Sequence, residues 1–479
     1  MPNRYLILAF SISAFAATGC EDDSTPRTAD STDAEFADAR SPADATLPPT
    51  DSAPAMDSAI DAERPGTPGR EVFDAPGCST EQPPLVMIHG MLEAGDSWAP
   101  HIRRFVANGH CATRYYSFDW DPINRDVDPV PVLADFIDEV RAQHGVERVD
   151  LIAHSAGTGL AYAYAEDAAQ AATIRRYIHS GSYPPENPLG APDTPIPTLN
   201  LWSQGDTVAS GGAAESEGIE NVGLVTEDHY SVKTSPASFA AIYGYLYDTE
   251  PGTTDATESD EPWVAGRAVS LGENAPAANS QLTVWRLNGA TGERVEIEAQ
   301  QTLDASGWWG PMRVDREVHY EMMVDVEDPT VPDVRYFRAP FTGDDGFVYL
   351  RTFPSPGSLA SVLLSQVPTA DTGVSLVIFN ARRAFLAGQD SVTLDGEELL
   401  DEEVASADDT AIALFVFDID RDGARGSSSA LFEMFPFLSA VDFPLAPAAN
   451  ENLTLEFNGR KLRLPRAPAS EGILVAVFD

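Results

Sequence analysis

Basic residues are scarce in this chain. Against 75 Asp and Glu, its 479 residues include only 30 Lys and Arg, a formal net charge of −45. A surface that neutralises phosphates needs clustered Lys and Arg, so nucleic-acid binding is excluded. Docking on anionic membrane through a polybasic patch is excluded on the same ground. So much acid reads as a solvated surface. A membrane-spanning run is also missing, because the apolar stretch Tyr5–Ala17 is too short to cross a bilayer. Cysteines number three. What is present is an apolar fraction of 43%, ample for buried cores, in a chain long enough for two or three domains.

Residues 1–20 read as a targeting segment. Arg4 gives a positive start, Tyr5–Ala17 an apolar core, and Ala17-Thr18-Gly19-Cys20 a small-residue cleavage site ending in cysteine. That ending resembles a bacterial lipoprotein signal, whose cysteine becomes the lipidated first residue. The resemblance implies export to the cell envelope, periplasmic or outer-surface, with a lipid anchor on Cys20. Residues 21–70 are rich in Asp, Ala, Pro, Ser and Thr and nearly free of aromatics. Such a stretch buries too little surface to offset chain entropy, so a disordered acidic linker is expected.

The most informative stretch is Val149–Glu166. Val149, Leu151, Ile152 and Ala153 read as a strand buried in a parallel sheet, and Leu160–Tyr164 as helix. Between them stands Ala153-His154-Ser155-Ala156-Gly157, the G-x-S-x-G pattern with Ala in first place. A strand turning at once into a helix forces the serine into strained backbone angles and exposes its hydroxyl at the carboxyl edge of the sheet.

Upstream, Leu85–Ile88 reads as a strand that breaks at His89-Gly90-Met91, with a helix starting near Ser97 as N-cap. The loop after such a strand supplies one oxyanion-binding amide and the residue after the nucleophile the other, which nominates the N–H groups of Met91 and Ala156. His89 reads as a structural loop residue. Cys78 and Cys111 each precede a strand, Leu85–Ile88 and Thr113–Phe118. Parallel strand starts share one edge, and an exported protein meets oxidising conditions, so a disulfide between them is expected. Val132–His144 reads as an amphipathic helix, and the short connection before it leaves little room for a helical lid.

Beyond the elbow, Ile174–Ile178, Thr198–Trp202 and Val222–Val225 are strand candidates. The second runs into Gly205-Asp206 and the third into Asp228-His229. The order Ser155, Asp206, His229 is the nucleophile–acid–base order of the α/β-hydrolases. Ser155 needs His229 to remove its proton during attack, and His229 needs Asp206 on its other nitrogen to fix the tautomer. Five of the eight histidines precede Ser155 and do not fit this order.

His89-Gly90-Met91, Ala153–Gly157 and His229–Pro236 with Phe239 resemble the archaeal lipase family that carries a C-terminal β-barrel domain, and similar two-domain bacterial lipases. The likeness continues in Gly266-Arg267-Ala268, Leu282–Trp285, Thr291-Gly292, Tyr320-Glu321, Arg338–Phe341, Leu394–Leu399 and Leu414–Asp418. It implies hydrolysis of carboxylic esters, including acylglycerols, and a lipid-binding or substrate-shielding role for the β domain. The archaeal pattern places its acid where this chain has Ser180, so Asp206 rests on the general fold position. It also inserts a long helical lid that this chain nearly lacks, which points to shorter-chain esters.

The expected layout is therefore an α/β-hydrolase fold over 71–250, a mostly parallel sheet flanked by helices, then a linker over 251–262 and an all-β C-terminal domain over 263–479. Alternating runs such as Leu282–Leu287 between Gly, Pro and Asp turns support that last part. Asp418-Ile419-Asp420-Arg421-Asp422-Gly423 imitates the start of a calcium loop, but Ser429 stands where a bidentate Glu is needed. No metal and no cofactor are expected. The partners are a small ester or lipid substrate and, through Cys20, a membrane. Two other readings stay open: a thioesterase or amidase on the same three residues, and a hydrolase-fold binding module without catalysis.

Overall fold

The computed structural model describes residues 69–479 apart from Arg125, 210–214, 407–409, 427–431 and 433–436. The targeting segment, Cys20 and nearly all of the acidic linker lie outside the described residues, as does Ser429.

Six parallel strands make the first sheet: β1 (Leu85–Ile88), β2 (Tyr115–Phe118), β3 (Val149–His154), β4 (Ile174–Ser180), β5 (Thr198–Ser203) and β6 (Glu220–Leu224), in the order β2-β1-β3-β4-β5-β6. Burial on both faces explains why the inner strands read as continuous apolar runs. Val86 and Ile88 of β1 join the cluster under helices α2 (Pro129–His144) and α3 (Ala156–Tyr164). Leu85 and Met87 face the opposite layer of α1 (Ala99–Ala107) and α5 (Pro236–Tyr247); a short α4 (Ala168–Ala171) precedes β4. Local chemistry bounds these helices. Asp128 accepts the Val130 amide ahead of Pro129, and Gly145 at φ 62° ends α2. Ser235 caps α5 in the same way, accepting from Ser238 N.

Several boundaries differ from expectation, among them α2, which starts at Pro129 rather than Val132. Gly95–Trp98 forms a 3-10 turn, so α1 starts at Ala99 and Ser97 is not its cap. Ala112–Arg114 is another such turn, which delays β2 to Tyr115. β6 covers Glu220–Leu224, because Gly223 lies against the Trp202 ring and continues the pairing with β5. Cys78 and Cys111 form a disulfide, with Cα atoms 5.0 Å apart.

The C-terminal part starts with β7 (Trp263–Ser270), β8 (Gln281–Leu287), β9 (Arg294–Thr302), β10 (Trp308–Arg313), β11 (His319–Asp325), β12 (Val334–Arg338) and β13 (Leu350–Thr352). It continues through α6 (Leu359–Leu364), β14 (Leu376–Asn380), β15 (Val392–Leu394), β16 (Glu397–Glu398), β17 (Ala413–Phe417), β18 (Leu438–Asp442), β19 (Asn452–Phe457), β20 (Arg460–Pro465) and β21 (Ile473–Phe478). The part is the expected β domain, with one short helix, α6, inserted between β13 and β14. An eight-stranded sheet, β18-β17-β14-β21-β12-β11-β8-β9, is its middle layer. β21 shows why: Ile473, Val475 and Val477 enter the core shared with the β10-β7-β13 sheet, while Leu474, Ala476 and Phe478 enter the core shared with β16-β15-β19-β20.

The stretch expected to link the two parts is fastened down. Asn108 Nδ2 and Arg104 Nε donate to the carbonyls of Thr253 and Thr254, both at 2.8 Å. Buried polar contacts join the parts directly. Asp119 Oδ2 accepts from Arg267 at 2.5 Å and Tyr349 at 2.8 Å, and Arg351 grips both oxygens of Asp96.

Candidate active site

β1 and β3 are neighbours, yet β2 lies on one side of them and β4 on the other. The loops after β1 and β3 therefore meet at the switch point, where open α/β sheets place their ligands. Ser155 sits between β3 and α3 with φ 50° and ψ −122°, the strained elbow geometry. Gly157 makes that turn possible, because a Cβ there would fall 2.6 Å from His89 O. The Ser155 carbonyl accepts from Thr158 Oγ1 at 2.7 Å and its amide donates to Ser180 O at 3.1 Å.

The other two expected residues converge on this serine. His229 Nε2 lies 2.9 Å from Ser155 Oγ, and His229 Nδ1 lies 2.9 Å from Asp206 Oδ2. Asp206 is buried after β5, and its Oδ1 accepts the amides of Val208 and Ala209, each at 3.0 Å. Burial opposes its charge, but His229, the Ala209 amide and His154 together outweigh that and hold the carboxyl below its ordinary range. Asp228 shapes the histidine loop, Oδ1 accepting from Tyr230 N and Ser231 N, while Oδ2 accepts Ala384 N from the C-terminal part.

Gly90 brings the loop after β1 against the elbow, since a Cβ there would lie 3.0 Å from Ser155 Cβ. Beside it, the amides of Met91 and Ala156 donate to no acceptor among the described residues. Two unspent donors flanking the serine suit a developing oxyanion. His89 is occupied structurally, its Nδ1 with Gly90 O at 2.8 Å and its Nε2 with Trp120 N and Asn274 Nδ2, both at 3.3 Å. A cavity of about 580 Å³ between Phe73, Ile102, Trp308 and Phe347 touches none of Ser155, Asp206 or His229, so the polar geometry and not cavity size places the site. Away from it, the carboxylates of Asp418, Asp420 and Asp422 lie within 4.8 Å of one another in a turn.

Comparison with known families agrees with this architecture. Residues 83–215 match the family model for the alpha/beta hydrolase fold, and residues 260–354 match the one for the lipase C-terminal domain. The chain thus combines an α/β-hydrolase fold with a C-terminal β domain of the lipase type. Among solved structures it is similar to a carboxylesterase from Bacillus subtilis (12% identity, 36% of this chain and 86% of that one, TM-score 0.27). Others are a Bacillus licheniformis lipase (14%, 35% and 94%, 0.29) and Aspergillus fumigatus lipase B (11%, 41% and 65%, 0.29).

The hydrolase also contains a buried ionic network that sequence reasoning missed. Glu93 Oε2 accepts from Gly90 N at 2.9 Å and from Lys233 Nζ at 2.7 Å, and Oε1 lies 3.3 Å from His154 Nδ1, off the line of a hydrogen bond. The other nitrogen of His154 bonds His229 O at 2.9 Å. Glu93 thus connects the loop after β1, the elbow and the histidine loop. Burial opposes its charge, yet Lys233 and His154 together hold its carboxyl well below the ordinary range. Asn274, from the C-terminal part, donates to Glu93 O at 2.8 Å and Trp120 O at 2.9 Å. The one signal in the sequence is Lys233, a rare base four residues after His229.

Burial lowers seven of the eight histidines in this hydrolase: His89, His101, His110, His144, His154, His179 and His319. His154 and His179 are each pushed down to about 4 from an ordinary 6.5. Between those values the unfolded chain binds a proton that the fold refuses. Their contribution is therefore complete above about pH 6.5 and is lost as pH falls toward 4, by about 1.4 kcal/mol per pH unit for each buried ring. Urea midpoints should start to fall below neutrality, before the carboxylates titrate. A midpoint that stays flat down to the carboxylate range contradicts this.

Proposed function

We propose that this hydrolase cleaves carboxylic esters through an acyl-enzyme intermediate. The observation that carries the reading is the unbroken relay from Ser155 Oγ through His229 to Asp206, two contacts of 2.9 Å ending at a strained elbow serine. Ser155 Oγ attacks the acyl carbon as His229 Nε2 takes its proton, and the oxyanion falls to the amides of Met91 and Ala156. His229 then returns the proton to the departing alkoxide. In the second half it takes a proton from water, which attacks the acyl-serine, frees the acid and restores Ser155. Asp206 keeps the Nδ1 proton in place and faces the imidazolium. These steps use protein groups and water alone, with no cofactor or metal.

Residues 119–128 join β2 to α2 without a helix among the described residues. So short a cover favours small, shorter-chain esters over interfacial fat. With Cys20 lipidated, the enzyme would work at the bacterial envelope.

The test uses the full-length protein in membranes of an expressing bacterium, with p-nitrophenyl esters from acetate to palmitate plus thioester and anilide analogues. Short esters should turn over best. Ser155→Ala should lower kcat by at least about 10⁴-fold and abolish fluorophosphonate labelling. Cys20→Ser should move the activity into the soluble fraction. Turnover that survives Ser155→Ala overturns Ser155 as the nucleophile of an acyl-enzyme route, and activity that stays on membranes in Cys20→Ser overturns the anchor. A folded wild type inert on every ester shifts the choice to thioester or amide cleavage, or to binding alone.

A further inference from the structure

Phe437 belongs to the C-terminal domain, one residue before β18, yet its ring lies on His229. The ring centroids are 5.4 Å apart and the planes 17° from parallel. His154 flanks the same imidazole at 4.8 Å, tilted by 47°. Phe437 is buried beside Tyr230, Ile412 and the edge of Val208. Its backbone is strained to place it there, with φ at +80°, a region that bulky side chains avoid. Two amides hold that conformation, Ile412 N and Ala413 N donating to the Phe437 carbonyl at 2.8 and 3.2 Å. An aromatic residue kept in an unfavourable conformation over the proposed general base is an outlier that ordinary packing does not require.

We propose that Phe437 is a positioning residue for His229, fixing the plane of the imidazole and offering an aromatic face to the imidazolium that forms during acyl transfer. The inference rests on the ester-hydrolase reading and deepens it, because it makes the C-terminal domain part of the active site. His229 has to keep contacts at Nδ1 and Nε2 together, and rotation of its ring breaks both. An offset-stacked ring opposes that rotation. It also excludes water from one face of the imidazole and attracts the cation through its quadrupole when charge develops. Since the imidazolium exists in the transition states and not in the substrate complex, the benefit falls on kcat and leaves KM alone.

The experiment compares full-length wild type with Phe437→Ala, Phe437→Gly, Phe437→Leu and Phe437→Tyr. It reads kcat and KM on one short-chain ester, the rate of inactivation by a fluorophosphonate, and the thermal midpoint. Ala and Gly should each lower kcat and the inactivation rate by about 10- to 30-fold, with KM nearly unchanged. Tyr should keep most of the activity. Leu fills similar space without a π face and should fall with Ala. Gly accepts the positive φ and should melt above Ala while being no more active. If Leu works as well as Tyr, or activity simply ranks with melting temperature, Phe437 only packs and the inference is overturned. An active wild type with indifferent variants defeats this inference alone, whereas a wild type inert toward every ester defeats the functional reading beneath it.

Discussion

Asp206→Asn should lower kcat on a short-chain ester by about 10⁴-fold while leaving the fold and the melting temperature nearly intact. The substitution is almost isosteric. The Asn carbonyl oxygen can go on accepting the Val208 and Ala209 amides, which Asp206 Oδ1 now accepts at 3.0 Å each. The amide nitrogen then faces His229 Nδ1, where Oδ2 lies at 2.9 Å. A donor there requires Nδ1 to be unprotonated, so the proton moves to Nε2 and points at Ser155 Oγ. The base is then in the wrong tautomer, and the imidazolium loses its counter-charge. The position where the archaeal lipases keep their acid holds Ser180, a buried hydroxyl whose Oγ has no hydrogen-bond partner among the described residues and which carries no charge. Measurement of kcat alongside a melting curve decides the matter. A near-normal rate in Asp206→Asn would mean that another carboxylate serves His229 and that the assignment is wrong.

What could be read in the sequence was local. The elbow is legible because strand, small residues and helix adjoin within one short stretch, although the approach that requires Gly157 is made by His89 O just after β1. Asp206 and His229 are legible through their order and their place after apolar strands, since a parallel sheet brings all such loops to one edge. Glu93, Asn274 and Phe437 carried no such pattern. Glu93 meets Lys233 across 140 residues, and Asn274 reaches Glu93 across 181. These contacts come from tertiary packing, within the hydrolase domain for Lys233 and between the two domains for Asn274, and no periodicity encodes them. Phe437 looked like one more apolar residue before a strand. Its role depends on a positive φ, which nothing in an aromatic residue's sequence context announces. That the linker over 251–262 is pinned is unreadable for the same reason, because its partners, Arg104 of α1 and Asn108 just after it, lie far upstream.

The second large effect concerns Lys233. Lys233→Met should cost about 3–5 kcal/mol of stability and most of the activity, although Lys233 touches neither Ser155 nor His229. The ammonium is fully buried, 2.7 Å from Glu93 Oε2 and over the rings of Tyr230 and Trp98. Removing it strands a carboxylate with the Gly90 amide and a neutral His154, and desolvation that the pair shared then falls on Glu93 alone. Glu93 has two ways out: to take up a proton, or to let the loop after β1 move toward water. The second displaces Gly90, and with it the Met91 amide that we assign to the oxyanion. Both responses separate in a double-mutant cycle. Glu93→Gln with Lys233→Met removes both charges and should recover much of the stability lost in the single variant, because Gln still accepts from Gly90 N. Activity should recover with it only as far as the loop regains its place, so kcat in the double variant reports the loop and the urea midpoint reports the charge. If Lys233→Met melts like the wild type, the pair contributes little. If the double variant is no more stable than Lys233→Met, the loss comes from packing around Trp98 and Tyr230 and not from the uncompensated carboxylate.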